Sequence, residues 1–277
     1  MKFQYFTFFL NPVATLFEDK RAKIDILSEI LQRDEPVLYE RRGTSLAYRF
    51  NKKEGDYIVG KLGRKSKIKR HLSPEKNFKS QDEENWPFCD VIFYLSSDRE
   101  KGQKIAFEYK AGVFVSPNEQ LKYFSEKINE TLMTYGYVFS INPVTEEQEF
   151  WKIVNDNKGK IEKLTFIFNA PNLFRLDDAL NEDLKSVSKE YNANKTTIEL
   201  ENSDGQLSVP ENSELVKQGV EYVARGGGQY SIKLKGRERR VLKSSNNIVT
   251  KSFDFEDLDV VTNDGEFAKE TLKQIFK

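Results

Sequence analysis

Two neighbouring stretches decide the fold: Asp90-Val91-Ile92-Phe93-Tyr94-Leu95, and then Ile105-Ala106-Phe107-Glu108-Tyr109-Lys110. Both are short apolar runs rich in β-branched and aromatic residues. A polar segment, 97–102, ending in Gly102 separates them. Such a pair reads as an antiparallel hairpin of buried strands.

Working outward toward the N-terminus, residues 37–41, 45–50 and 57–62 alternate in polarity. Arg42-Gly43 and Glu54-Gly55 punctuate them, which extends the hairpin into a meander. Residues 1–10 alternate with bulky aromatics and predict a first strand. Ile26/Ile30 and Leu27/Leu31 sit at helical spacing within 22–31. Residues 64–87 are polar and predict a long loop ending at Trp86-Pro87. Beyond the hairpin, Leu121, Phe124, Ile128 and Leu132 mark one face of a helix over 118–135. A strand over 137–141 follows and Asn142-Pro143 ends it.

From Glu146 the texture changes to alternating elements. Helices are expected at 146–154, 177–189 and 213–224, and strands at 161–168, 196–200 and 229–235. The order suggests two βαβ-like passes. Strands at 248–251 and 258–261 and a helix from Glu266 complete the chain. The fold class is therefore α+β: an antiparallel meander with helices over 1–143, then a mixed α/β-like unit over 144–277.

Composition narrows the function classes. The chain has 277 residues, and 44 basic side chains balance 44 acidic ones. Any electrostatic role must come from segregated charge and not from its sum. The single cysteine, Cys89, allows no intramolecular disulfide. No window approaches the roughly 20 apolar residues that span a bilayer, and residues 1–10 lack a signal-peptide cleavage site. A soluble cytoplasmic protein without membrane contact is expected.

Three clusters are candidates for function. In the first, Asp90 on one strand faces Glu108 or Lys110 on the next, so alternation puts all three on one sheet face. Two carboxylates and a lysine can hold Mg²⁺ and orient an attacking water. The pattern resembles that of the PD-(D/E)XK nucleases, with Cys89 in place of the proline. The same groups also suit ordinary cross-strand pairing, and acid-x-Lys triplets recur at 18–20, 156–158 and 183–185.

The second cluster is Lys61, Arg64, Lys65, Lys67, Lys69 and Arg70, with no acid between Asp56 and Glu75. The third is Lys233, Lys235, Arg237, Arg239, Arg240 and Lys243, opposed by Glu238. Cations at this density suit phosphate contacts, which position a protein on nucleic acid without reading sequence. Arg225-Gly226-Gly227-Gly228 lacks the pattern of a phosphate loop and reads as a helix C-cap and tight turn. With His71 and Cys89 alone of their kinds, zinc sites and Ser–His–Asp triads find no support. The acidic residues Asp254, Glu256, Asp257 and Asp259 could balance the third cluster within one molecule or in a dimer.

The C-terminal half resembles the RexA-like phage-exclusion and defence proteins. The resemblance spans about residues 137–235 and is one of layout. Ile141-Asn142-Pro143-Val144 matches a strand end, and Lys163-Leu164-Thr165-Phe166 with Ala170-Pro171-Asn172-Leu173-Phe174 matches the next strand and its exit. A helix over 180–189 and the strand Thr197-Ile198-Glu199-Leu200 follow. It implies a homodimer that binds double-stranded DNA with little sequence preference, and it carries over no individual binding residue. The expectation is a non-catalytic nucleic-acid-binding protein of phage exclusion, needing no cofactor. The alternatives are a Mg²⁺-dependent nuclease at Asp90, Glu108 and Lys110, or an adaptor or inhibitor acting on a protein partner in a defence system.

Overall fold

Alternating apolar residues in the first half of the chain build a curled antiparallel sheet. The computed structural model describes residues 1–13, 21–96, 102–169, 179–236, 240–263 and 265–277. Eight strands make the large sheet: β1 (Lys2–Pro12), β2 (Val37–Arg41), β3 (Thr44–Glu54), β4 (Tyr57–Arg64), β7 (Phe88–Leu95), β8 (Gln103–Glu108), β9 (Tyr137–Pro143) and β14 (Thr250–Ser252). Their order is β14-β1-β8-β7-β4-β3-β2, and β9 pairs with the second half of β1. The α+β class expected from the sequence is the class observed.

Both faces of this sheet are covered, which explains why β1 reads as nearly continuous aromatic sequence. Phe6, Phe8, Leu62, Val91, Phe93 and Phe107 face α1 (Lys23–Leu31) and α2 (Pro117–Leu132). Phe3, Tyr5, Val59, Ile92 and Ala106 face α6 (Leu258–Asn263) and α7 (Gly265–Ile275). The α2 helix starts where its sequence says it should. Ser116 caps it by accepting the Glu119 N–H at 3.3 Å, and Pro117 occupies the first turn. Leu121, Phe124, Ile128 and Leu132 are buried at i, i+3, i+7 and i+11, each contributing roughly 1.5–3 kcal/mol.

The second sheet has the order β11-β10-β12-β13, formed by β10 (Ile161–Asn169), β11 (Lys195–Glu201), β12 (Gly228–Leu234) and β13 (Val241–Lys243). Its pairs are antiparallel, whereas βαβ-like passes would have made parallel ones. Burial shows why. Leu164, Phe166 and Phe168 point into a core with α3 (Glu147–Asp156), α4 (Ala179–Tyr191) and α5 (Glu214–Ala224), while Lys163, Thr165 and Ile167 face outward. A sheet covered on one face suits antiparallel pairing.

Two further expectations are corrected. Residues 258–261 are helical, not a strand. Asp257 Oδ1 accepts the Asp259 N–H at 2.8 Å, a capping contact that overrides the β-propensity of Val260 and Val261. Residues 64–87 are not a loop but a two-stranded ribbon of β5 (Ser66–His71) and β6 (Ser80–Asn85). The backbone ladder pairs strands whose side chains are mostly polar and charged, so the ribbon carries no apolar periodicity to betray it.

The triple glycine closes α5 and joins the two sheets. Gly226 N–H donates to Val223 O and Gly227 N–H to Tyr222 O, each at 2.8 Å, with Gly226 at φ +81°. This is the left-handed helix end that favours glycine. Gly226 O accepts from Thr7 Oγ1 at 2.6 Å and from Asn142 Nδ2 at 3.2 Å. The chain then returns to the first sheet, where Phe253 O and Phe255 O accept from the Met1 amino group at 2.8 and 2.6 Å. The segment 144–277 thus contributes to two cores: Phe150 to Leu234 to one, and Leu258, Leu272 and Ile275 to the other. No helix among the described residues is long and apolar enough to cross a membrane.

Candidate functional site

The structure brings Asp90, Glu108 and Lys110 together. Val91 pairs with Phe107, so Asp90 and Glu108 are the next residues along their antiparallel strands. Both project toward the α6–α7 face, and they are 4% and 2% exposed. Asp90 N–H donates to Glu108 Oε2 at 3.1 Å, and Lys110 Nζ reaches the same oxygen at 2.6 Å. Asp90 Oδ1 is buried without a partner.

The electrostatics follow from this geometry. Burial, and then the neighbouring Glu108 carboxylate, push Asp90 up to about 7, although Lys61 and Lys110 pull it back. Burial opposes the charge on Lys110, but its hydrogen bond to Glu108 and the charges of Glu108 and Asp90 raise it above its ordinary value. Cys89 turns to the opposite face, and burial above all pushes its thiol up to about 12, leaving it unreactive.

Lys61, grouped by sequence with the basic ribbon, belongs here. It is the register partner of Asp90, it bonds Asp259, and its Nζ lies 4.6 Å from the Phe88 ring centroid. Lys110 lies 5.2 Å from the same ring. Sequence reasoning missed both Phe88 and Asp259. The acidic stretch had been paired with the third basic cluster, and nothing local signals that Asp259 meets Lys61. Among the described residues, no group of three His, Cys, Asp or Glu side chains is placed to hold a metal ion. Asp90 and Glu108 supply two oxygen-donor groups, which is the number Mg²⁺ commonly takes from protein.

The second cluster stands apart on the β5–β6 ribbon. Every residue of β5 except Ser66 is exposed, and Ile68 is 45% exposed. The sequence showed no acid within the run, yet β6 supplies them from across the ribbon. Lys65 pairs with Glu84 at 2.5 Å and Arg70 with Glu83 at 3.4 Å. Lys67 and Lys69 lie opposite Glu84 and Asp82 in register but make no ion pair among the described residues. Arg64 turns inward at the ribbon's base.

The third cluster is dispersed. Lys233 pairs with Glu162 at 2.5 Å, and Lys235 Nζ donates to Asp204 O at 2.7 Å. Arg240 is exposed, while Arg237 and Arg239 lie outside the described residues. Lys243 lines a cleft of about 690 Å³ between α2, β9 and the second sheet, together with Lys195, Asn142, Asn169 and Gln229. No family model, curated protein or solved structure matches the chain.

Proposed function

We propose that the protein binds nucleic acid, double-stranded DNA above all, without cleaving it and with little sequence preference. The observation that carries this is the β5–β6 ribbon. It lies outside all three buried clusters, exposes most of its side chains, and presents Lys67 and Lys69 without ion-pair partners among the described residues. An exposed polar ribbon has no packing role to fulfil, and the major groove admits a two-stranded ribbon. Lys65 and Arg70 would exchange Glu84 and Glu83 for phosphates on binding. Lys243, Lys195 and Lys122 add further cations in the cleft, beside Glu119 and Glu126. The resemblance to RexA-like proteins adds phage exclusion and homodimerisation to the proposal.

The test is a titration of mixed-sequence duplex, single-stranded DNA and RNA between about 50 and 200 mM salt. Unrelated duplexes should bind alike and remain intact with Mg²⁺ present. Replacing Lys67, Lys69 and Arg70 by alanine should weaken every duplex similarly. It should also lower the slope of log affinity against log salt by roughly 0.9 per lost contact. No binding at low salt would sink the reading.

One observation favours a second reading, a Mg²⁺-dependent nuclease. Asp90 and Glu108 lie side by side with Asp90 Oδ1 unpartnered. Here the two carboxylates would hold the ion, and Lys110 would orient the attacking water. The ion would supply charge stabilisation at the phosphate. Mg²⁺-dependent fragments that disappear in Asp90→Ala and Glu108→Ala would establish it over the binding reading.

A further inference from the structure

At the base of the ribbon three arginines converge on a pocket of about 190 Å³. Arg41 and Thr44 are register partners at the β2–β3 turn, and Leu46 pairs with Arg64 on β4. Alternation therefore directs Arg41 and Arg64 to the same face, at the edge where α2 begins. Arg42 sits in the turn itself at φ 50°, a left-handed conformation that few side chains adopt. Ser116, the cap of the 16-residue α2, lies in the wall, so the positive end of that helix adds to the field.

Hydrogen bonding leaves this site incomplete. Arg64 Nη2 donates to Gly112 O at 3.3 Å, but its Nε is buried with no partner. A buried donor without an acceptor is costly, and a ligand oxygen would remove the cost. Arg41 is only loosely held, 3.7 Å from Glu126 and 4.7 Å from the Tyr123 ring centroid. Arg42 makes no ion pair among the described residues. Glu119 is the one carboxylate in the lining.

We infer that this pocket binds a phosphate group through Arg41, Arg42 and Arg64. The planar guanidinium fork matches phosphate oxygens two at a time, which a lysine cannot do. Lys65, the next residue, donates its N–H to Ser45 O at 2.8 Å and leads directly into β5. The pocket and the ribbon are therefore adjacent along the chain. On the nucleic-acid reading the pocket grips a phosphate of the strand that the ribbon follows. That identity of the ligand rests on the reading above, whereas the anion site itself does not.

The experiment uses the full chain and two variants, Arg42→Gln and Arg42→Gln/Arg64→Gln. Arg42 lies at an exposed turn, so the single variant keeps the fold even if the double variant does not. Inorganic phosphate, against chloride at equal ionic strength, should raise the melting temperature of the wild type by several degrees. Both variants should lose most of that shift. Duplex affinity should fall at least fivefold in the single variant. A fall equal for 5′-phosphorylated and 5′-hydroxyl ends marks a backbone phosphate, and a fall confined to phosphorylated ends marks a terminal one. A phosphate shift lost in the variants of a protein that binds no DNA keeps the pocket and removes the nucleic-acid reading. Ribbon-dependent DNA binding that Arg42→Gln leaves unchanged, with no phosphate shift in the wild type, overturns the pocket alone.

Discussion

The backbone N–H of Asp90 donates to Glu108 Oε2 at 3.1 Å, so two carboxylates share a site that is almost closed to water. The pair costs stability when both are charged. Asp90 is raised from 3.8 to about 7, first by burial. The folded state therefore holds this proton more tightly than the unfolded chain does. The resulting stabilisation is complete below about pH 4 and is lost as pH rises through 7, at up to roughly 1.4 kcal/mol per unit. Asp90→Asn cannot ionise, and its amide can donate to Glu108. The variant should melt higher than wild type at pH 8 and close to it at pH 4.5. Equal melting temperatures at both pH values would mean that Asp90 carries no such penalty.

The ribbon's own acids should oppose binding. Glu84 holds Lys65 at 2.5 Å and Glu83 meets Arg70 at 3.4 Å, both at exposed positions where such pairs contribute little to the fold. Glu83→Gln/Glu84→Gln should leave the melting temperature within about two degrees, since surface changes usually cost under 0.5 kcal/mol. Duplex affinity should rise several-fold, with a steeper salt slope because more cations reach phosphate. Weaker or unchanged binding would place the contact surface elsewhere.

How far the sequence could be read depended on whether apolar side chains recorded the contact. The β7–β8 hairpin was legible as two nearly unbroken apolar runs, the meander through alternation and its glycine turns, and α2 because its buried positions repeat with the helical period, as Leu121, Phe124, Ile128 and Leu132 do. The β5–β6 ribbon was not, since its strands carry mostly polar and charged side chains and expose both faces. The antiparallel direction of the second sheet was missed because an alternating order of helices and strands does not encode direction. Within the site, Asp90, Glu108 and Lys110 were found through strand alternation. Lys61 was assigned to the ribbon because it is a neighbour in sequence, although register makes it the partner of Asp90. Asp259 reaches Lys61 across 198 positions, a separation that no local pattern spans.

Gly228 begins β12 where the backbone of β10 leaves no room. A Cβ there would lie 2.2 Å from Ile167 O and 3.1 Å from Phe168 Cα, both backbone atoms. Neither can move without opening the β10–β12 ladder, which also carries Leu164, Phe166 and Ile232. Gly228→Ala should therefore lose about 1–3 kcal/mol or more, as overpacked cores do. Gly112→Ala, with nothing within 4 Å of its Cβ, is the matched control and should be close to neutral. Urea denaturation compares the two, and a tolerated Gly228→Ala would show that β10 and β12 are more loosely joined.

One carbonyl at the junction between the two sheets collects two side-chain donors. Gly226 O accepts from Thr7 Oγ1 and from Asn142 Nδ2, and Asn142 Oδ1 accepts from Gln229 Nε2 at 3.2 Å. Thr7 and Asn142 are 2% and 4% exposed, so water does not replace a lost donor easily. Thr7→Val keeps the shape and leaves the carbonyl with Asn142, which should cost about 1 kcal/mol. Asn142→Ala should cost more, because it also leaves Gln229 without its acceptor. Together they orphan the carbonyl, so the double variant should lose about 1 kcal/mol beyond the sum of the two. A double-mutant cycle in urea measures that excess. Strict additivity would mean that the two donors do not share the load, and that the sheets are held instead by the glycine turn and its packing.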